Sequence, residues 1–437
     1  MVPVKTVLKD SEEVTRLFSH LEFDGKKLNH QPGSLLGSTA LIAGTTVGAG
    51  ILALPAVTLP SGIVPSTSGL IAVWLYALFS GLLIAEVTLN TMRTQGRLSI
   101  GFLGVVENIL GKLGARIAGG AYLFMHYALL VAYITEGGEI LRVAAAKVWG
   151  VQILPMWLGT TTFTLLFGGI MYLGREKFIE KLNSAFVGIV IVSFLGLLFL
   201  GGSHIQTTQL LFQDWSALGS AISVMSVALF FQNVVPLIVT QLEGDACKIR
   251  QSILIGSVIP LIMFLAWNAV ILGSVSPDML HGTSDSSVFD PLQILRAGGA
   301  GQWLGVLVSI FSEFAIVTSF IGFVYGLLDL FKDIFLSTKG GFASRLPLYS
   351  LVLFPPMTLG TLNPSIFFTA LDYTGTFSIS VLGGIIPALM SWKQRQEQEN
   401  SNSVNQPLVP GGKVTLIVMI GVALAMMGRQ ILSIYHH

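Results

Sequence analysis

Eleven stretches of this chain each hold close to twenty apolar residues or more. Nothing constrains its fold as strongly, because a segment of about that length crosses the hydrocarbon core of a bilayer as one helix. They lie at approximately 35–57, 68–92, 117–146, 153–172, 178–200, 217–240, 253–272, 303–334, 346–362, 366–390 and 413–434. Charged residues are correspondingly scarce, 11% of 437 residues, against roughly a quarter in a soluble protein. The predicted fold class is all-α integral membrane, with 11 transmembrane helices. The third and eighth stretches are too long to stand upright, which predicts tilt or protrusion beyond the lipid.

Basic residues orient these helices, because cytoplasmic loops retain them. With the N-terminus inside, all 24 Lys and Arg fall on the cytoplasmic side except Arg142, Lys147, Arg296 and Arg429. One missed span would scramble that asymmetry. The C-terminus is then outside. A net charge of +1 gives no general attraction to nucleic acid. A single cysteine, Cys247, supplies neither an internal disulfide nor a thiolate metal cluster, and no cofactor or metal is expected. The polar tail, residues 1–34, lacks the apolar core of a secretory signal and reads as a solvated tail or a short surface helix. Gly96–Gly114 reads as an interfacial helix on the inner face, and Ser274–Gly301 is the longest outer loop. Ser391–Gly412, rich in Gln, Glu, Asn and Ser, reads as a flexible linker.

The first span carries an interruption, Gly44-Thr-Thr-Val-Gly-Ala-Gly-Ile-Leu-Ala-Leu-Pro55. Gly44, Gly48 and Gly50 weaken the helix, and Pro55 removes a donor. Irregular backbone at membrane depth persists only where protein or a polar cavity satisfies it, so such a break is a place for a polar ligand. Small residues at this spacing also serve helix packing, and the segment alone leaves both readings open. The sixth span decides between them. It reads Phe230-Phe231-Gln232-Asn233-Val234-Val235-Pro236, a polar pair and a proline in mid-segment. Breaks in corresponding spans of two halves point to a midplane transport site, and an odd number of spans per half makes the halves inverted.

Gly44–Pro55, Phe231–Thr240, Gly256-Ser-Val-Ile-Pro260 and Ala315-Ile-Val-Thr-Ser-Phe320 together resemble the bacterial and plastid tyrosine/tryptophan permeases. These form the hydroxy- and aromatic amino acid permease family of the amino acid–polyamine–organocation superfamily. The resemblance runs from Ser34 to Ile434. It implies a five-plus-five inverted repeat of the leucine-transporter type, with broken helices 1 and 6 and an eleventh helix. It also implies an aromatic amino acid as substrate, a proton as the usual coupling ion, and a bacterial plasma membrane or plastid inner envelope. On that reading 1–34 is a cytoplasmic tail, 35–201 and 217–390 are the repeats, 391–412 a linker and 413–434 the last helix. One departure is Phe231-Gln232, where bacterial members carry Phe-His.

Candidate site residues follow from the breaks. Amides around Val47, Gly48, Ala49, Gly50 and Ile51 offer an anion site for a carboxylate. Freed carbonyls near Phe230, Phe231, Gln232 and Asn233 suit an ammonium group. An aromatic side chain needs a flat apolar wall, for which Phe230, Phe231 and Tyr133 are candidates. His126, Tyr133 and Gly137 share a face of the third span, while Gly137 and Gly138 read as seats for a neighbouring helix. Glu86 and Glu313 lie inside apolar spans and are candidates for proton coupling, with structural pairing to a nearby donor the competing account. Glu136, Glu139 and Asp372 read as wetted near an interface. Thr318-Ser319 look like the hydroxyl pair that ligates sodium in sodium-coupled relatives of this fold, although such pairs also bond back to their own helix. An enzyme would need a His pair or a Ser/His couple in the spans, and only His126 lies inside one. A passive channel and an amino acid sensor on the same fold stay as alternatives. Two internal breaks and the lack of a polar pore-lining helix disfavour the channel, and the lack of a signalling domain in the sequence disfavours the sensor.

Overall fold

The computed structural model describes residues 33–48, 50–95, 101–150, 154–202, 211–274, 302–337, 345–363, 366–401 and 407–435, with short pieces at 17, 21–23, 28–30, 205 and 292. The first span is a bent pair, α1 (Leu35–Thr46) and α2 (Gly50–Thr58). Spans two to five are α3 (Ile63–Gln95), α4 (Phe102–Trp149), α5 (Met156–Leu173) and α6 (Glu176–Gly202). The sixth is α7 (Leu218–Ala228) continued by α8 (Val235–Gln241), and the seventh is α9 (Ala246–Ser274). The eighth and ninth are α10 (Gln302–Ser337) and α11 (Arg345–Leu362). The tenth is α12 (Ile366–Tyr373), a π-helix over Thr374–Ile385, and α13 (Ile386–Ser401), and α14 (Gly412–Tyr435) closes the chain. Nine helices among the described residues are long and apolar enough to cross a membrane, and the bent pair makes ten. The ninth span, α11, falls short of that measure: Arg345, Pro355 and Pro356 dilute its apolar run.

Three segments differ from expectation. The tail contributes a two-stranded antiparallel hairpin, β1 (Leu21–Phe23) with β2 (Leu28–His30), and Gly33 donates to Gln241 O at 3.0 Å at the end of α8. Residues 102–110 are helical but run on into the third span, with a kink at Gly111, whose φ is 74°. Their apolar face, Phe102, Val105, Val106 and Ile109, is buried against protein, and Lys393 donates to Ile109 O at 2.6 Å. That contact with α13 replaces the lipid contact expected of an interfacial helix. Finally, residues 391–401 continue α13 rather than forming linker, since their polar side chains bond to the C-terminal half of α3 and the first turn of α14. The long loop 275–301 lies outside the described residues except for Leu292.

Close helix approach holds the bundle together, as expected where lipid removes the hydrophobic drive between helices. Gly138 of α4 lies against the backbone of Gly159 and Thr160 in α5, where a Cβ would come within 2.7 Å. Gly137 faces the ring of Phe163. Both glycines of the third span therefore seat α5. Buried hydroxyls mostly bond back to the preceding turn, as Thr88 does to Ile84 O at 2.7 Å and Thr135 to Val131 O at 2.8 Å. A polar net joins the first, second and seventh spans, with Thr58 donating to Asn268 and Asn268 to Ser66. The last helix is peripheral, with only 11% of its apolar window buried.

Candidate functional site

At the first break the axes of α1 and α2 differ by 52°. The Val47 N–H still donates to Ala43 O at 2.8 Å. Ile51 N–H turns back to Gly48 O at 3.2 Å, whereas the N–H groups of Gly48 and Gly50 meet no acceptor among the described residues. Unclaimed N–H groups at the start of a helix are an anion-binding arrangement. Ala49 lies outside the described residues. Pro55 cannot donate to Ile51 O four residues back, and the Trp267 indole N–H takes that place at 3.1 Å.

The glycines of the break have separate jobs. A Cβ on Gly48 would stand 2.6 Å from Ser319 Oγ, and one on Gly50 would stand 2.9 Å from the Ala228 Cα. Gly48 thus brings the break up to α10, whereas Gly50 lets α2 lie on α7 and serves packing.

At the second break α7 stops at Ala228, and the chain passes irregularly through Leu229–Phe231 before a 3-10 turn over Gln232–Val234. No described N–H donates to the carbonyls of Ala228, Leu229 or Phe230. Such carbonyls carry the negative end of the α7 dipole and suit an ammonium. Phe231 and Gln232 turn away from open space. Phe231 is buried over Gly81, where a Cβ would meet its ring at 2.7 Å. Gln232 accepts from the Phe231 N–H at 2.9 Å and donates to Ala77 O at 3.3 Å. It fills backbone bonds that the break leaves open and ties them to α3. Phe230 is buried, and Asn233 is half-buried with an enclosed Oδ1 that has no partner among the described residues.

Tyr133 of α4 is buried with its ring edge-on to Phe323 of α10, centroids 5.6 Å apart. Phe323 also packs on His126 at 4.9 Å and lies one helical turn from Ser319. Gly48, Ser319, Phe323 and Tyr133 therefore form a continuous run from the first break to α4. Sequence alone does not distinguish Phe323 among 27 phenylalanines; its spacing of four from Ser319 is the signal that marks it. The hydroxyls of Thr318 and Ser319 donate back to Ala315 O, one turn earlier on α10, at 3.0 and 2.9 Å.

The acidic candidates separate. Glu313 is half-buried in the span of α10. Glu86 lies on α3, five residues beyond the Gly81 that meets Phe231, in a dense set of donors from α13 and the segment before α14. Arg395 binds it twice, at 2.7 and 2.9 Å, Leu408 N–H donates at 2.8 Å, and Ser391 donates at 3.3 Å. That geometry is a structural tie between α3, α13 and the strap before α14. Glu139 is bound by Arg142 at 2.7 and 2.5 Å, partly exposed. Asp372 accepts from Ser223 and from Gln430, far along the bundle from Glu86.

Residues 31–428 match the model of the tryptophan/tyrosine permease family. The chain belongs to that family. Among its relatives is the tyrosine-specific transport system 1 of Haemophilus influenzae, 28% identical over 88% of this chain and 93% of the relative. The tryptophan-specific transport protein of Pseudomonas aeruginosa is 27% identical, over 89% and 93%. Glutamine transporter 2 of Aliivibrio fischeri is 24% identical, over 91% and 99%. The permease is thus a multi-pass membrane protein whose relatives are transport proteins rather than enzymes.

Proposed function

We propose that this permease is a secondary active transporter of aromatic amino acids, tyrosine first, that works by alternating access around the two breaks. The observation that carries this reading is their complementarity: unclaimed N–H groups at the start of α2 and unclaimed carbonyls at the end of α7. Together they clamp the carboxylate and ammonium of a zwitterion without a buried charged side chain. The N–H groups of Gly48 and Gly50 form the carboxylate side, and the carbonyls of Ala228, Leu229 and Phe230 the ammonium side. Tyr133 and Phe323 supply the aromatic wall. Relatives named for tyrosine and tryptophan support the aromatic substrate. A relative named for glutamine fits a clamp that reads groups common to all amino acids.

Packing supports the five-plus-five inverted repeat. The first span packs on the seventh and the sixth on the second, while the third packs on the tenth and the eighth on the fifth. Spans 1 and 6, 2 and 7, 3 and 8, and 4 and 9 also meet. Moving every label by five maps these pairs onto one another, although the sixth span also packs on the tenth without a first-to-fifth counterpart among the described residues. An eleventh helix, N-terminus inside and C-terminus outside complete the arrangement.

For coupling we assign the proton to Glu313 and not to Glu86, whose charge is already matched by Arg395. A carboxyl within a span is a functional suspect by default, and Glu313 sits on α10, the helix that meets the Gly48 break through Ser319; its protonation is then linked to substrate occupancy. The contact of Ser319 with the Gly48 break favours a second reading, sodium held by Thr318, Ser319 and break carbonyls. Uptake of labelled tyrosine into proteoliposomes decides between them. Accumulation driven by an alkaline interior in sodium-free buffer, lost in Glu313→Gln while exchange continues, supports the proton. Accumulation that requires a sodium gradient and ignores pH overturns it.

A further inference from the structure

A cavity of about 830 Å³ opens between α2, α7, α12 and α14, at the end of the bundle where the C-terminus emerges. Neither α4 nor α10 contributes to its lining, so it lies beside the central site. Its volume falls within the range of small-molecule pockets, about 300–1,000 Å³. Phe368, Ile222 and Met426 make apolar walls, and two opposite charges, Asp372 and Arg429, line the same space.

Those charges do not pair with each other. Asp372 is held by the Ser223 hydroxyl on α7 and by Gln430 Nε2 at 2.8 Å on α14. Arg429, the next residue along α14, extends over α7 instead, so that a Cβ on Gly219 would collide with its guanidinium. It makes no ion pair or hydrogen bond with any described residue. A carboxylate has about four lone-pair sites, and the two bonds to Asp372 leave half of them open. An arginine and an aspartate that share a cavity near a membrane face would ordinarily meet. Here helix-to-helix bonds hold them apart, with an acceptor against Ser223 and five N–H donors against Gly219 one turn away on α7.

We infer that this cavity is a second binding site, for a zwitterion on an apolar body: its ammonium on Asp372, its anion on Arg429, its apolar part against Phe368 and Met426. Two sources carry that chemistry, a free amino acid and the head of an ethanolamine phospholipid with its chains. The inference does not depend on the central clamp, because the cavity shares no residue with it. Because Asp372 bonds to both α7 and α14, an occupant there touches half of the sixth span directly.

The test uses the full-length purified permease in nanodiscs of phosphatidylglycerol alone, which carry no ammonium. Equilibrium dialysis with labelled L-tryptophan counts bound molecules per chain. Two are expected, with Asp372→Asn and Arg429→Gln each weakening one of them at least tenfold and Arg429→Lys retaining part of it. Gly48→Leu should remove the other. Tryptamine and indole-3-propionate, which each lack one charge, should compete at that second site at least tenfold more weakly than tryptophan. In a parallel arm, permease purified from membranes containing phosphatidylethanolamine is extracted and its lipid counted. Ethanolamine lipid retained by the wild type and lost in Arg429→Gln identifies the lipid source. Thermal unfolding of each variant shows that it is folded. One tryptophan per chain, unaffected by either charge variant, together with equal lipid retention in wild type and Arg429→Gln, overturns the inference. So does indole-3-propionate binding there as tightly as tryptophan, since Asp372 would then have no role. Failure of Gly48→Leu to affect either site counts against the central clamp alone.

Discussion

Replacing Glu86 with glutamine separates a structural carboxylate from a proton carrier. Its side chain is 5% exposed and that of Arg395 13%, so solvent screens neither charge. Glutamine keeps one acceptor oxygen but turns an NH₂ toward the Arg395 Nη2 and Leu408 N–H groups that Glu86 Oε2 accepts at 2.9 and 2.8 Å. Donors then face donors, and the guanidinium is left buried without its counter-charge. Breaking a buried pair on one side costs about 3–5 kcal/mol, whereas replacing both partners with apolar residues is often nearly neutral. Glu86→Gln should therefore lose about 3–5 kcal/mol of stability, and Glu86→Leu with Arg395→Met should recover most of it. The assay is reversible unfolding in mixed micelles, run as a double-mutant cycle, with tyrosine uptake measured on the folded fraction. A Glu86→Gln protein within about 0.5 kcal/mol of wild type that takes up tyrosine without responding to a pH gradient would refute this account. It would return Glu86 to the coupling machinery.

Three further outcomes are expected. Gly48→Ala should weaken tyrosine binding in a dialysis assay at least tenfold, because the new Cβ meets Ser319 Oγ at 2.6 Å, and adding Ser319→Ala should restore part of it; no change in either protein would separate the glycine from the site. Gly50→Val meets the Ala228 backbone instead and should lower thermal stability, by about 1–3 kcal/mol for an overpacked contact; unchanged stability would refute its packing role. In a Cys247→Ser background, a cysteine at Ser203 should react with an impermeant thiol reagent from outside while one at Ser401 stays protected, and reversed labelling would refute the orientation.

The apolar runs and the distribution of basic residues already determine, without any tertiary information, that this chain is helical and lives in a membrane. Lipid offers no hydrogen bonds, so length and apolarity translate directly into spans. The breaks are legible for the same reason: Gly48, Gly50 and Pro55 in the first span, and Gln232, Asn233 and Pro236 in the sixth, are residues a continuous lipid-facing helix does not favour. What each side chain does at a break is a separate matter. Phe231 and Gln232 read as open site residues, yet contacts with Gly81 and Ala77 on α3, some 150 positions away in the chain, turn them inward. Glu86 reads as a lone acid in apolar sequence until α13 folds back to bring Arg395 against it. The stretch 391–401 has the composition of a linker and is helix, because its polar side chains find partners on α3. In each case the deciding partner is distant in sequence and bonded in space, and a buried polar group takes its role from the partner it meets.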